Sequence, residues 1–113
     1  MTVDVKWRRE GDIAIASVLG RIDNASAPDF QGLVEGGLGA DDDTLILDME
    51  KVAFMSSAGL RVCLILARRF GARRFALCSL TELNREIVAV SGFDQLIAVH
   101  TTQAAAVEAI GRS

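Results

Sequence analysis

The sequence is poor in the residues from which most active sites are made. It has one histidine, His100, and two cysteines, Cys63 and Cys78, among 113 residues. Both cysteines fall inside apolar segments without CxxC or Cys/His spacing, so they read as buried thiols, not as a disulfide or a metal site. Such usage fits a reducing, cytoplasmic compartment. One histidine leaves little from which to build a Ser/His/Asp arrangement, and the G-x-S-x-G turn of the commonest α/β hydrolases is absent. Enzymatic catalysis is therefore not expected. Positive charge is also scarce. Twelve Lys and Arg against 15 Asp and Glu leave a net charge of -3, which offers a phosphate backbone no footprint and argues against direct nucleic-acid binding. The longest apolar run, Val62–Ala67, falls far short of the roughly 20 residues that cross a bilayer. The opening MTVDVKWRRE lacks the apolar stretch of a signal peptide. Neither membrane insertion nor export is expected. No repeat, low-complexity tract or long linker appears, so residues 1–113 are expected to fold as one domain.

What the chain does have is 50% hydrophobic and 24% charged residues, the composition of a globular domain with its own core. Val3, Val5 and Trp7 alternate with Asp4, Lys6 and Arg8, the period of a strand with one wet face. Glu10-Gly11-Asp12 turns the chain, and Ile13–Leu19 pairs back as a hairpin. Ser26, Pro28 and Asp29 predict a helix start resembling a capping box. Phe30, Leu33, Val34 and Leu38 follow at helical spacing, with Gly36, Gly37 and Gly39 closing the helix. Leu45-Ile46-Leu47 reads as a short central strand, apolar on both faces and hence parallel, presenting Asp48 near its C-terminal end. Ser56–Gly59 leads into a largely buried helix through Phe70, stopped by Gly71. Phe75–Cys78 is a further inner strand. Ser79–Glu82 caps a third helix whose apolar stripe is Leu83, Ile87 and Val90, ended by Gly92. Leu96–Val99 is a last short strand, and Thr102 caps a small helix with Ala106, Val107 and Ile110 on its apolar side. The order β-β-α-β-α-β-α-β-α predicts an α/β fold: a mixed, mostly parallel sheet with an opening hairpin and four helices packed against it.

The best-placed candidate for chemistry is the Ser56-Ser57 pair, in a strand-to-helix turn where free backbone N–H groups and the positive end of the helix dipole gather. A hydroxyl there is either a plain N-cap or an exposed oxygen beside a site that tolerates negative charge. Asp23 and Asp48 follow apolar strand segments, where α/β sheets build binding crevices, and could flank Ser57. Their plainer reading is as turn and cap carboxylates, and no further ligand residues argue for a metal. Gly36-Gly37-Leu38-Gly39 follows a helix instead of a strand, so it terminates a helix and is no phosphate loop. Arg61, Arg68, Arg69, Arg73 and Arg74 concentrate positive charge on one helix and its exit, either as a solvated face or as a match for an acidic partner.

Phe54-Met55-Ser56-Ser57-Ala58-Gly59-Leu60-Arg61-Val62 resembles the signature turn of the STAS domain, the fold shared by bacterial anti-sigma factor antagonists and the cytoplasmic tails of sulphate transporters. Leu19-Gly20-Arg21-Ile22-Asp23, Leu47-Asp48-Met49 and Val90-Ser91-Gly92-Phe93 are similar to the family's other motifs, so the resemblance covers nearly the whole chain. Length without extra domains, and no membrane segment, make it more similar to the free-standing antagonists. The resemblance implies a regulator that binds an anti-sigma factor with serine kinase activity, frees a sigma factor, and is switched off by phosphorylation at Ser57. Ser56 stands where the family commonly has an acid and Ala58 where it has a second hydroxyl residue, which makes Ser56 a second candidate acceptor. Asp23, Asp48, Ser56, Ser57, Gly59, Leu60 and Arg61 are then the expected partner-binding residues: the two carboxylates as polar rim, Gly59 with Leu60 as turn and anchor, and Arg61 facing the partner. The resemblance implies no cofactor, and at most weak nucleotide binding by Asp23 and Ser57. The alternative it leaves open is a constitutive STAS scaffold subunit of a bacterial lipid-transport ABC system, which needs no phosphate.

Overall fold

A computed structural model describes residues 3–111. In it the chain runs β1 (Asp4–Glu10), β2 (Ile13–Ile22), α1 (Ala27–Gly37), β3 (Leu45–Met55), α2 (Ser57–Phe70), β4 (Phe75–Cys78), α3 (Glu82–Ser91), a 3-10 turn at Phe93–Gln95, β5 (Ala98–His100) and α4 (Gln103–Gly111). The sheet has the order β1-β2-β3-β4-β5, with β1 antiparallel to β2 and every later pair parallel. This is the mixed sheet with an opening hairpin that the alternation of elements predicts. Because the parallel strands are added in one direction, right-handed crossovers put α1, α2 and α3 on the same face. The helix after the last strand, α4, closes the other face.

Two apolar clusters follow. Phe30 and Val34 of α1, Leu45, Leu47 and Met49 of β3, Leu60, Cys63 and Leu66 of α2, and Val88 of α3 fill the larger one. Ile15, Ile46, Ala76 and Cys78 meet Ala106 and Ile110 of α4 in the smaller. Successive β3 residues therefore point to opposite clusters, as expected for a strand apolar on both faces. Each fully buried Leu or Ile contributes roughly 1.5–3 kcal/mol.

Four local features differ from the reading of the sequence. The central strand does not stop near Asp48 but continues to Met55. Ser17 lies opposite Asp48 but Leu19 opposite Lys51, and Gly20 opposite Val52 but Ile22 opposite Met55, so β3 carries an extra residue at each of two bulges. Met49, Val52 and Met55 consequently reach the same core at every third residue, which hides the strand from a search for period two. At α1, the Ser26 hydroxyl caps no helical N–H. It accepts the Asp23 N–H at 2.9 Å and donates to the Arg21 carbonyl at 2.9 Å instead. In α3 the buried residues are Asn84 and Val88, while Leu83 is 50% and Val90 82% exposed. The stripe expected to face inward thus faces outward, with only Ile87 half-buried. Finally, the last strand is Ala98–His100, because the chain first makes the 3-10 turn, with the Ile97 N–H on the Phe93 carbonyl at 2.8 Å.

Candidate functional site

The irregular half of β3 determines where Ser56 and Ser57 stand. Beyond Asp48, which pairs with Cys78, β4 has ended, so this part of β3 has a strand neighbour only on its β2 side. On the other side α3 supplies a substitute. The wholly buried Asn84 accepts the Met55 N–H at 3.0 Å and donates to the Val52 carbonyl at 2.8 Å, satisfying two backbone groups that burial would otherwise leave orphaned. Thr81 caps the same helix by accepting the Asn84 N–H at 3.3 Å. Asn84 is the functional-site residue that the sequence reading missed. Its only signal was a polar side chain at a position of α3 from which the outward stripe is absent.

Past Met55 the chain is held to β2 by the Ser56 N–H on the Ile22 carbonyl at 2.8 Å, and α2 begins with the Leu60 N–H on the Ser56 carbonyl at 3.0 Å. Ser56 has the extended backbone of an N-cap, yet its side chain caps nothing, and its Oγ is buried without a hydrogen-bond partner. Ser57, the first helical residue, is exposed. The first turn of α2 carries no acidic side chain, so the positive end of its dipole stands uncompensated beside the Ser57 hydroxyl.

Gly59 is not the turn expected of it. It lies inside the first helical turn and is buried, and a Cβ there would fall 2.5 Å from Met55 Cγ and 2.7 Å from Ile22 Cγ2. Its missing side chain lets α2 sit directly on the ends of β2 and β3. Leu60, 3% exposed, anchors the helix in the larger cluster. Arg61 is exposed one turn after Ser57, and the i, i+4 spacing puts the two on one face of α2.

The two candidate carboxylates part company. Asp23 follows Ile22, whose carbonyl holds Ser56, so it stands beside the serine turn. Its Oδ1 accepts the N–H groups of Ala25 and Ser26, each at 3.0 Å. The Ser26 N–H, then the Ser26 hydroxyl, with help from Ala25 and Arg21, hold its carboxyl below the usual range. Arg21 also stacks on Phe54 at 4.5 Å from the ring centroid. Asp48 does not flank Ser57. It shares the strand face of Ile46, toward α4, where Gln103 Nε2 donates to it at 2.7 Å. With Glu50, Ser79, Thr81 and Thr102 it lines a polar cleft on the opposite side of the sheet from α2. The reason is again the extra length of β3, which runs seven residues beyond Asp48, to Met55, before the serine turn and α2 begin.

On the Ser57 side, Ser57 and Leu60 face Leu83, Glu86, Ile87, Val90 and Ser91 across an open groove between α2 and α3. The arginines near α2 have separate uses: Arg74 pairs with Asp43 at 2.7 Å and Arg69 lies over Phe70. Burial pushes the Cys63 thiol up to about 12 and Cys78 up to about 11, so neither is a thiolate near neutral pH. Among the described residues no group of three or more His, Cys, Asp or Glu is arranged to hold a metal, and no helix is long and apolar enough to cross a membrane.

The profile of the STAS domain matches residues 4–106. The chain belongs to the STAS domain family. A Bordetella bronchiseptica protein, BtrV, provisionally named an anti-sigma factor antagonist, is 29% identical over 97 residues, 84% of each chain. An anti-sigma factor antagonist from Mycobacterium paratuberculosis superposes on this STAS domain with a TM-score of 0.88 at 20% identity, covering 97% of this chain and 95% of that one. The anti-sigma factor antagonist SpoIIAA, solved in its unphosphorylated form, superposes with a TM-score of 0.72 at 18% identity, over 95% and 96% of the two chains. At such identities the superpositions establish a shared STAS fold.

Proposed function

We propose that this STAS protein is an anti-sigma factor antagonist. It binds an anti-sigma factor on the face around Ser57, so releasing a sigma factor in the cytoplasm, and the anti-sigma factor is also a serine kinase whose phosphorylation of Ser57 ends the complex. The observation that carries this reading is the contrast between the two serines. Ser57 is exposed at the mouth of an apolar groove, whereas the Ser56 hydroxyl is buried and out of reach of a kinase. The names given to BtrV and to the antagonist from Mycobacterium paratuberculosis support the same direction. The chain itself is a binding protein and a kinase substrate, with no catalysis of its own.

The switch follows from charge. Unmodified, Ser57 enters an interface at little desolvation cost. A phosphate adds about -1.5 to -2 charges beside Leu60, Leu83, Ile87 and Val90 and next to Glu86. A partner matched to an apolar groove then has to desolvate that charge, and every 1.4 kcal/mol of added cost weakens binding roughly tenfold. The fold tolerates the phosphate, because the start of α2 is free of acidic side chains and Arg61 lies one turn on. Asp23 forms the polar rim and Arg61 faces the partner. Asp48 has no place on this surface.

The test is a pull-down from the source cells with wild-type and Ser57→Asp bait, with partners and phosphosites read by mass spectrometry. A histidine-kinase-like anti-sigma factor held by wild type alone, with phosphate on Ser57 and none on Ser56, is the expected result. A transporter ATPase held equally by both baits, with no phosphate, overturns it in favour of a constitutive scaffold subunit.

A further inference from the structure

The surface beside Ser57 extends well past the serine. Because Asn84 and Val88 take the inward positions of α3, the helix turns Leu83 and Val90 outward, 50% and 82% exposed, with the half-buried Ile87 between them against the larger cluster. Facing them is one side of α2. Leu60 lines the groove at the Ser57 end, and Leu64, Ala67 and Arg68 line a second hollow with Gly71 and Leu96 toward the helix's far end. Residues 60, 64, 67 and 68 follow the i, i+4, i+7, i+8 spacing of a single helix stripe, so the two hollows are parts of one channel along α2. From Leu60 to Gly71 it spans about 16 Å at the rise of an α-helix. Leu83, Val90 and Leu96, three of the most exposed large apolar side chains, border it. Its ends differ in charge, with Glu86 at the Ser57 end and Arg68 at the other.

We infer that this channel seats an amphipathic helix of the anti-sigma factor, its apolar face down, a basic side chain over Glu86 and an acidic one over Arg68. The inference rests on the proposed identity of the partner and adds what the partner brings. Two considerations select a helix. At the Ser57 end both walls, α2 and α3, are helices whose backbone groups are bonded internally, and toward the far end the wall opposite α2 is Leu96, outside any strand, so an extended peptide would find no open strand edge to extend. A third helix, by contrast, can lay its ridge of side chains in the groove between two others. A second copy of this chain is a poorer occupant, since a two-fold pairing would set groove against groove. The opposite charges at the two ends fix the direction of the seated helix.

The test uses the full-length protein and the anti-sigma factor captured by the wild type. Val90→Asp and Leu83→Asp alter exposed side chains, and unchanged thermal melting would establish that both variants fold. Each is expected to raise the Kd at least tenfold. Glu86→Arg is expected to weaken binding and to be rescued by an acidic replacement of one basic residue in the partner. A photo-crosslinking residue in place of Val90 is expected to label partner residues three or four apart along one segment. Wild-type affinity in both Asp variants, or crosslinks spread along an extended segment, overturns the inference. If Ser57→Asp abolishes capture while the Val90 and Leu83 variants bind normally, the antagonist reading stands and the channel falls. If the wild type captures no anti-sigma factor, both fall. If the channel variants instead convert a wild-type dimer to monomer in sedimentation, the occupant is a second copy and the inference is wrong.

Discussion

The two halves of β3 follow opposite rules. Leu45–Asp48 has β2 on one side and β4 on the other, in unbroken register, and its side chains alternate between the two apolar clusters. The stretch from Met49 to Met55 has β2 on one side only, slips register twice, and is held on its other side by one asparagine. The first half is the usual solution for a buried parallel strand, where regular pairing satisfies the backbone. The second half gives up regular pairing, and its bulges redirect the chain. Ser56 and Ser57 lie at its end. Regularity here supplies stability, and the departure from it aims the serine turn at the groove between α2 and α3.

Matched substitutions in the two halves make that division testable. Leu47→Ala removes buried apolar volume from the regular half and is expected to cost about 2–5 kcal/mol in urea unfolding. Asn84→Ala leaves the Met55 N–H and Val52 carbonyl buried without partners, at roughly 1–3 kcal/mol per group. The two losses are thus similar in size but should differ in reach. Under conditions where both variants are folded, the Leu47 variant should retain the wild-type Kd for the proposed anti-sigma factor partner. The Asn84 variant should bind more weakly and shift the amide resonances of Ser56 and Ser57. Equal effects on binding would mean that the two halves are not separate in function.

A smaller effect is expected where α2 meets the strand ends. Gly59→Ala gains helix propensity of up to about 1 kcal/mol, but its Cβ meets Met55 and the stiff, β-branched Ile22 at 2.5 and 2.7 Å. Overpacking of that kind costs roughly 1–3 kcal/mol, so thermal denaturation should show a net loss. Gly32, within α1, has nothing within 4 Å of the same position. Gly32→Ala should therefore raise stability by about 0.5–1 kcal/mol. If both variants gain, α2 has room to lift from the sheet.

The fold was legible in the sequence where one period governs. Val3, Val5 and Trp7 alternate because one face of the hairpin is wet. Leu45-Ile46-Leu47 is uninterrupted because both faces are covered, and the order of elements was enough to predict the sheet. Legibility failed at the site. Met49, Val52 and Met55 recur at every third residue because of the bulges, so the period-two pattern ends near Asp48, and Asp48, which the sequence allows either to flank Ser57 or to serve as a plain turn carboxylate, lies on the other side of the sheet from α2. In α3 the largest apolar residues were assumed to face inward, since burial usually selects them. The need of β3 for a donor and an acceptor put Asn84 there instead and turned Leu83 and Val90 out. Ser57 itself was readable, because its place in a strand-to-helix turn depends on local order and the resemblance covers the turn. In both failures the inward positions are set across the fold, in β3 by bulges against β2 and in α3 by the bonds of a side-chain amide to the backbone of β3, which no local pattern records.

The smallest expected effect concerns the other serine. A buried hydroxyl without a partner gives up hydrogen bonds to water and gains none in return, a loss of roughly 1–3 kcal/mol. At an N-cap a serine ordinarily offsets this by accepting a helical N–H, and replacing such a cap by alanine costs about 1 kcal/mol. Ser56 occupies the position but makes no such bond, and its Oγ is sealed from solvent. Ser56→Ala should therefore leave stability unchanged or raise it by up to about 1 kcal/mol, with the proposed phosphorylation of Ser57 unaffected. A loss of about 1 kcal/mol in urea unfolding would mean instead that the hydroxyl caps α2 in solution. The two serines would then both serve the helix start, and the contrast between a buried Ser56 and an available Ser57 would narrow to exposure alone.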